Sequence, residues 1–245
     1  MNIIVKFISK ARSVDKINMP VFDKYFDEYE VEHIDNENDT FTTIIYSNEK
    51  PKQMQFGNRE KDNDTLLEIV ELNADALLTC NHMFCNCIEL KSINLKNLNT
   101  RYVKDMEGMF FNCSVKKLDL SKFNTSKVTT MRNMFCCCDA VELNCNSFDT
   151  SNVTDMHDMF YSCREAKSIK VDNFNTSKVE NMQAMFYGCH SVWSLDLRSF
   201  DTRKVNDIKY MFFGCYDLKE LLLSEDFIRE EMDQTETFAF CDKLQ

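Results

Sequence analysis

Phenylalanine recurs through most of the chain at a nearly constant interval, and this repeat constrains the fold more than any other feature. The recurring residues are Phe84, Phe110, Phe135, Phe160, Phe186, Phe212 and Phe238, at intervals of 26, 25, 25, 26, 26 and 26 residues. A cysteine follows each of them by three residues. A period of this size is typical of a solenoid, in which each unit buries its apolar side only against its neighbours.

The first part of each unit has a helical period. Val128, Met131, Met134, Phe135 and Cys138 are spaced at i, i+3, i+6, i+7 and i+10, which predicts a short helix with one buried face. A Thr-Ser pair stands just before this stripe, at 125–126, 150–151 and 176–177, and its hydroxyls are typical of a helix N-cap. We therefore expect one capped helix per repeat.

The part of the unit after the cysteine alternates instead. Leu195-Asp196-Leu197 is an example, and its period of two predicts a short strand. A strand and a helix in about 25 residues predict an α/β repeat solenoid. The expected architecture is a leucine-rich-repeat-like right-handed stack with one short parallel strand and one short helix in each repeat.

Two segments resemble a known repeat family. They are residues 151–163, Ser-Asn-Val-Thr-Asp-Met-His-Asp-Met-Phe-Tyr-Ser-Cys, and residues 194–202, Ser-Leu-Asp-Leu-Arg-Ser-Phe-Asp-Thr. Both are similar to the BspA-like leucine-rich repeats, and the resemblance extends over roughly residues 67–245. It implies a non-enzymatic solenoid used for adhesion or protein binding, often at a cell surface, and it implies no catalytic residues.

The two ends of the chain differ from the middle. Residues 1–64 are expected to form a small N-terminal α+β cap, or a separate docking segment, with strand-like stretches at 3–8 and 41–46 and a polar linker at 48–64. Residues 65–245 form the predicted solenoid. Its last unit replaces core Val and Met with polar residues at 229–236, which suits a C-terminal cap.

Charge and composition exclude several functions. The net charge is −11, so we expect no nucleic-acid partner. Four glycines in 245 residues argue against a glycine-rich nucleotide loop. No apolar run is long enough for a transmembrane segment, and the first ten residues do not match an export signal. These features predict a cytoplasmic protein, although the resemblance allows a cell-surface location.

The twelve cysteines are predicted to be structural thiols. Seven occupy the repeat's cysteine column, and Cys80 and Cys145 occupy other core columns, which leaves Cys85, Cys136 and Cys137. Free cysteine behaves as a small buried hydrophobe. The alternatives are a zinc site among residues 80–87 and a ladder of disulfides between neighbouring repeats.

No catalytic site is predicted. Only four histidines exist, and none has a recurring Ser, Cys or Asp partner that would suggest a triad. The aromatic residues after the core phenylalanines are expected to extend the buried stripe rather than to stack on bases; they are Phe111, Tyr161, Tyr187 and Phe213. We therefore expect no enzyme, no cofactor and no metal.

Two surfaces are candidates for binding another protein. The first is the outward column of the predicted sheet, which contains Asn94, Asp119, Asn144, Lys170, Asp196 and Leu222. The second is an acidic, aromatic segment at 21–29, in which Tyr25, Phe26 and Tyr29 could form an outward helix face. The alternative functions are an architectural subunit of a larger assembly and an enzyme with its site in residues 1–60. The oligomeric state stays open.

Overall fold

A computed structural model describes residues 1–10, 25–36, 38–57, 59–60 and 62–244. This part of the chain contains nine strands and no helix. The strands are β1 Asn2–Ser9, β2 Glu30–Asp35, β3 Phe41–Ser47, β4 Leu66–Leu72, β5 Ser92–Ile93, β6 Glu142–Asn144, β7 Ser168–Lys170, β8 Ser194–Asp196 and β9 Glu220–Leu222. The expected α/β solenoid with a helix in each repeat is therefore wrong.

The N-terminal region is a sheet that continues into the first repeat. Its strand order is β2-β3-β1-β4-β5, with β1 antiparallel to both β3 and β4, and β4 parallel to β5. Alternate residues of β1 face the core, including the fully buried Val5 and Phe7, whereas β3 is buried continuously over residues 42–45. A register shift between Ile3 and Val5 buries one residue more than strict alternation would. No helical part of the cap exists among the described residues.

The apolar stripe fails to form a helix because the backbone turns left-handed twice in every repeat. The φ angle is positive two residues before and two residues after each recurring phenylalanine. The pairs are His82 and Asn86, Gly108 and Asn112, Asn133 and Cys137, Asp158 and Ser162, Ala184 and Gly188, Tyr210 and Gly214, and Glu236 and Phe240. A right-handed helix has no place for such residues.

Hydrogen bonds to the next repeat replace the helical ones. The backbone N–H groups of His82, Phe84 and Asn86 donate to carbonyl oxygens of the following repeat, at 2.7–2.8 Å. The N–H groups of Met83 and Cys85, which lie between them, donate three residues back along the chain. Every second N–H is thus committed to a neighbouring unit, and the same pattern returns in later repeats.

The Thr-Ser pairs are not helix caps either. Each threonine is buried, and its hydroxyl donates to a backbone carbonyl of the next repeat; the members of this threonine ladder are Thr100, Thr125, Thr150, Thr176 and Thr202. The residue before the threonine closes the local turn, as Asn124 does by accepting the N–H of Ser126 at 3.1 Å. The hydroxyl that was expected to cap a helix instead joins two repeats.

The core is a continuous stack of phenylalanine rings. Eight rings lie face to face, with centroids 5.2–5.8 Å apart, in the order Phe56, Phe84, Phe110, Phe135, Phe160, Phe186, Phe212 and Phe238. The repeated phenylalanine that the sequence singled out is therefore the axis of the stack. The first ring, Phe56, lies in the segment that was expected to be a polar linker, and both Phe56 and Met54 are fully buried.

Candidate functional site

Most side chains in the outward column of the strands close turns of their own backbone. The Oδ1 atoms of Asn94, Asp119, Asn144 and Asp196 each accept the backbone N–H of the residue two places later, at 3.0–3.2 Å. These bonds close an Asx turn at the end of each strand segment. Four of the six predicted contact residues in this column therefore hold the backbone in place.

Hydrogen bonding also changes the ionisation of the two carboxylates in this column. The hydroxyl and amide of Ser121 lower the pKa of Asp119. Arg198 binds Asp196 through two nitrogens, at 2.9 and 2.6 Å, and lowers the pKa of Asp196. Both side chains are consequently ionised at neutral pH and already hydrogen-bonded within the chain.

The other two predicted residues of this column occupy the same register. Lys170 pairs with Asn144 across β6 and β7, and Leu222 pairs with Asp196 across β8 and β9. Lys170 is exposed and Leu222 is half-buried. The strands form two separate two-stranded sheets here, so the six residues do not share one continuous sheet.

A groove lies where the strand ladder is interrupted. Between β5 and β6 only a single bridge, from Lys117 to Glu142, continues the ladder. Lys116, Lys117, Leu118, Val141 and Glu142 line a groove of about 430 Å³ at this point. Its walls combine two lysines and one carboxylate with the apolar side chains of Leu118 and Val141.

The predicted N-terminal contact residues lie mostly against the core. Phe26 is only 3% exposed, and Tyr25 and Tyr29 are half-buried against the same core. The Tyr25 hydroxyl donates to Gln55 Oε1 at 3.2 Å, and burial raises the pKa of Tyr25. None of the three is helical, so they do not form the expected outward helix face; residues 21–24 of that segment lie outside the described residues.

Aromatic side chains gather instead on one side of the last repeats. Tyr161, Tyr187 and Phe213 stack with ring centroids 4.5 and 4.8 Å apart and planes within 5° of parallel. Phe240 and Phe213 pack edge to face, with ring centroids 5.0 Å apart. Since the rings of this column cover each other's faces, Tyr187 has no free face on which a base could stack.

The same repeats carry further exposed aromatic residues. Tyr216 lies 4.8 Å from His190, ring centroid to ring centroid, and Trp193 follows His190 by three residues. Trp193 is 58% exposed, Phe240 56% and Tyr216 43%. We call Tyr187, Trp193, Phe213, Tyr216 and Phe240 the C-terminal aromatic surface.

One residue of this surface, Trp193, could have been identified from the sequence. Trp193 stands seven residues after a core phenylalanine, where Lys91, Lys167 and Lys219 stand in other repeats. A tryptophan at a position that several other repeats give to an exposed lysine is not needed for the core. The repeat alignment could therefore have singled out Trp193 as a candidate contact residue.

Two histidines have pKa values shifted by the fold. His82 is 4% exposed, and burial, together with the nearby Arg59 charge, lowers its pKa to about 4. His157 contacts Asp158 at 2.9 Å, and this contact raises the pKa of His157. His82 is thus held neutral at neutral pH, and His157 is paired with a carboxylate.

The cysteines of residues 80–87 are buried, protonated thiols. Burial raises the pKa of Cys80 and Cys87 far above the usual range and that of Cys85 to about 12. All twelve cysteines are free thiols, and no cluster of three or more potential metal ligands exists in the part of the chain that the structure describes. Four of the seven column cysteines, at positions 163, 189, 215 and 241, donate to a carbonyl oxygen of the preceding repeat, as Cys189 does to Phe160 at 3.1 Å.

Comparison with known proteins places the repeats in one family. Within the described ranges, no helix has the length and apolar character needed to cross a membrane. No curated protein and no solved structure matches the chain. The family described as "Mycoplasma protein of unknown function, DUF285" matches twice, over residues 52–169 and 145–245, in agreement with the internal repetition. The two matches together span most of the chain, which therefore belongs to the DUF285 family.

Proposed function

We propose that the protein is a non-catalytic binding module that holds another protein through its C-terminal aromatic surface. The observation that carries this proposal is the concentration of exposed rings in the last repeats, led by Trp193, Tyr216 and Phe240. Exposed aromatic residues that cluster on one side of a folded chain are typical of protein contact sites, where Trp and Tyr dominate the binding energy.

The repeat stack favours this use because it holds the rings in place. Tyr187 and Phe213 stack on each other, and their backbone N–H groups donate within the chain. Side chains that are ordered before binding lose little conformational entropy when a partner arrives. A surface of this kind suits a partner that offers apolar area of its own.

The other candidate surfaces are weaker. Asn94, Asp119, Asn144 and Asp196 already close turns, so a partner would have to compete with the chain for their oxygens. Phe26 is buried and offers no area. The resemblance of the repeats to BspA-like proteins favours the same class of function, adhesion or protein binding, without indicating a particular surface.

A comparative capture experiment tests the proposal. The full chain, a Trp193→Ala/Tyr216→Ala double variant and a Tyr102→Ala variant serve as baits in a lysate of the source organism. Tyr102 is the matched control, because it is 37% exposed but carries the side chains of Arg101 and Lys127 on its ring, 4.6 and 5.0 Å from the centroid.

The expected result is that proteins captured by the wild type and by the Tyr102 variant are lost from the double variant. Loss of one or two hot-spot residues weakens binding by roughly 2 kcal/mol or more each, about 30-fold. Identical capture by all three baits would place binding outside the aromatic surface and contradict the proposal.

A further inference from the structure

Cys136 and Cys137 form an unusual pair of adjacent thiols. They are two of the three cysteines that lie outside the core columns of the repeat. Their sulfur atoms are 3.8 Å apart, with Cys136 Sγ donating to Cys137 Sγ. Cys136 is 5% exposed, whereas Cys137 is half-buried, so a small molecule can approach the pair from the side of Cys137.

The backbone does not favour a cysteine at position 137. Its φ is +56°, in the left-handed region. The equivalent position is held in four other repeats by asparagine or glycine, which tolerate this conformation, and in the remaining two by Ser162 and Phe240. A cysteine there costs roughly 1 kcal/mol, and Cys137 lies outside the buried cysteine column of the repeat, so the packing of that column does not require it.

The surroundings activate one of the two thiols. The hydrogen bond from Cys136 lowers the pKa of Cys137 to about 7, helped by the charge of Arg164 and opposed by burial and by Asp139 and Asp158. The next residue, Cys138, is fully buried, and burial raises its pKa to about 12. Cys137 therefore carries a thiolate fraction at neutral pH that Cys138 does not.

We propose that Cys136 and Cys137 form a dithiol site that binds a trivalent arsenical, a ligand whose single arsenic atom bonds both sulfurs. The sulfur separation of 3.8 Å is close to that of two sulfurs bonded to one atom. Two sulfur bonds of about 2.3 Å, the length of a zinc–thiolate bond, span about 3.5 Å at the angle of roughly 100° that trivalent arsenic prefers, and a small rotation about χ1 of either cysteine closes the difference. A direct disulfide fits less well, since adjacent Cα atoms are about 3.8 Å apart and disulfides need about 4.4 Å or more.

Metal coordination is less suitable than arsenic because the protein supplies only two ligands. Zinc takes four ligands in structural sites, and the described residues contain no cluster of three or more potential ligands. A monosubstituted trivalent arsenical needs only two more bonds. With an arsenoxide, two As–S bonds form and the As–O bonds break. The oxygen leaves as water with the two thiol protons, and no atom changes its oxidation state.

The test uses the reduced full chain and phenylarsine oxide. We expect one equivalent to bind per native chain and to protect two thiols from a thiol-specific reagent. The bound arsenical should be released by ethanedithiol but not by the same excess of a monothiol. A monothiol offers arsenic one sulfur at a time and does not displace a ligand that is held by two sulfurs, whereas a dithiol does. Cys137→Ser and Cys136→Ala should each weaken binding at least tenfold.

Two further variants keep the test decisive. Cys137→Gly restores the residue that Gly188 and Gly214 provide in register, so loss of binding with unchanged circular dichroism excludes misfolding. Cys241→Ser is the matched control, since Cys241 is also half-buried and the hydrogen bond from Cys215 also lowers its pKa. Binding that survives in Cys137→Ser, or that is lost in Cys241→Ser, would overturn the proposal.

Discussion

Thr150 and Asn175 are joined by two hydrogen bonds between one hydroxyl and one backbone unit. The Thr150 Oγ1 atom donates to the Asn175 carbonyl oxygen at 3.0 Å and accepts the Asn175 N–H at 2.8 Å. The same exchange joins Thr100 to Asn124 and Thr176 to Asp201. One buried hydroxyl thus satisfies a donor and an acceptor of the next repeat.

Removal of this hydroxyl should destabilise the stack. Thr150→Val keeps the shape but leaves both groups of Asn175 without their partner, so we expect a loss of about 1–3 kcal/mol in the free energy of unfolding. Urea unfolding followed by circular dichroism measures it. Thr154→Val is the control, because Thr154 is exposed, and a change below about 0.5 kcal/mol is expected there. Equal effects at both sites would contradict the assigned role of the ladder.

The phenylalanine stack should be most sensitive in its middle. Phe160 has ring neighbours at 5.6 and 5.5 Å and is fully buried, so Phe160→Ala should cost roughly 3–5 kcal/mol. Phe238 stacks on Phe212 and is 37% exposed, so Phe238→Ala should cost clearly less. Urea midpoints of the two variants compare them directly, and a midpoint for Phe160→Ala equal to that of the wild type would refute the stack.

Two glycines should respond differently to alanine because they are glycine for different reasons. A Cβ on Gly57 would lie 1.6 Å from the carbonyl oxygen of Cys85, so Gly57→Ala must separate the N-terminal segment from the first repeat. A Cβ on Gly214 meets nothing closer than 3.9 Å, but its φ is +69°, so Gly214→Ala should cost only about 1–2 kcal/mol. Thermal unfolding should show the larger loss for Gly57→Ala; the reverse order would contradict this assignment.

His82 should make stability depend on pH. Burial lowers its pKa in the folded chain to about 4, below the ordinary value of 6.5, so the unfolded chain binds more protons between these values. The contribution of neutral His82 is therefore fully present above about pH 6.5 and is lost as the pH falls towards 4.

His82→Asn isolates this contribution. Asparagine suits the positive φ of position 82, and Asn133 already occupies the equivalent position two repeats later. The difference in unfolding free energy between variant and wild type should shift in favour of the variant between pH 6.5 and 4. A difference that stays constant over this range would show that His82 is not held neutral by the fold.

Residue types at the left-handed positions could have corrected the helix prediction. Three of the four glycines, Gly108, Gly188 and Gly214, have positive φ, as do Asn86 and Asn112. Their placement two residues from four of the seven recurring phenylalanines is visible in the sequence and is unfavourable inside a helix. The helical spacing of the apolar residues masked this signal, because stacked turns bury side chains at the same intervals.

The candidate surfaces were predictable only in part. Exposure of Lys170 follows from strand alternation, and the unusual Trp193 follows from comparison of the repeats. The role of Asp119 and Asp196 in closing turns does not, because an Asx turn depends on the local path of the backbone. Burial of Phe26 likewise depends on a core whose other members lie far away in sequence.

The sequence by itself determined the period, the identity of the stacked phenylalanines and the columns of buried cysteine and methionine, because each unit must present the same apolar residues to its neighbours. Only the tertiary structure decided whether each stripe would be a helix or a stacked turn. The physical reason is that the backbone N–H of a residue such as Phe84 has two possible acceptors, one four residues back and one in the next repeat, 2.8 Å away. The second acceptor exists only when the neighbouring repeat is already in place.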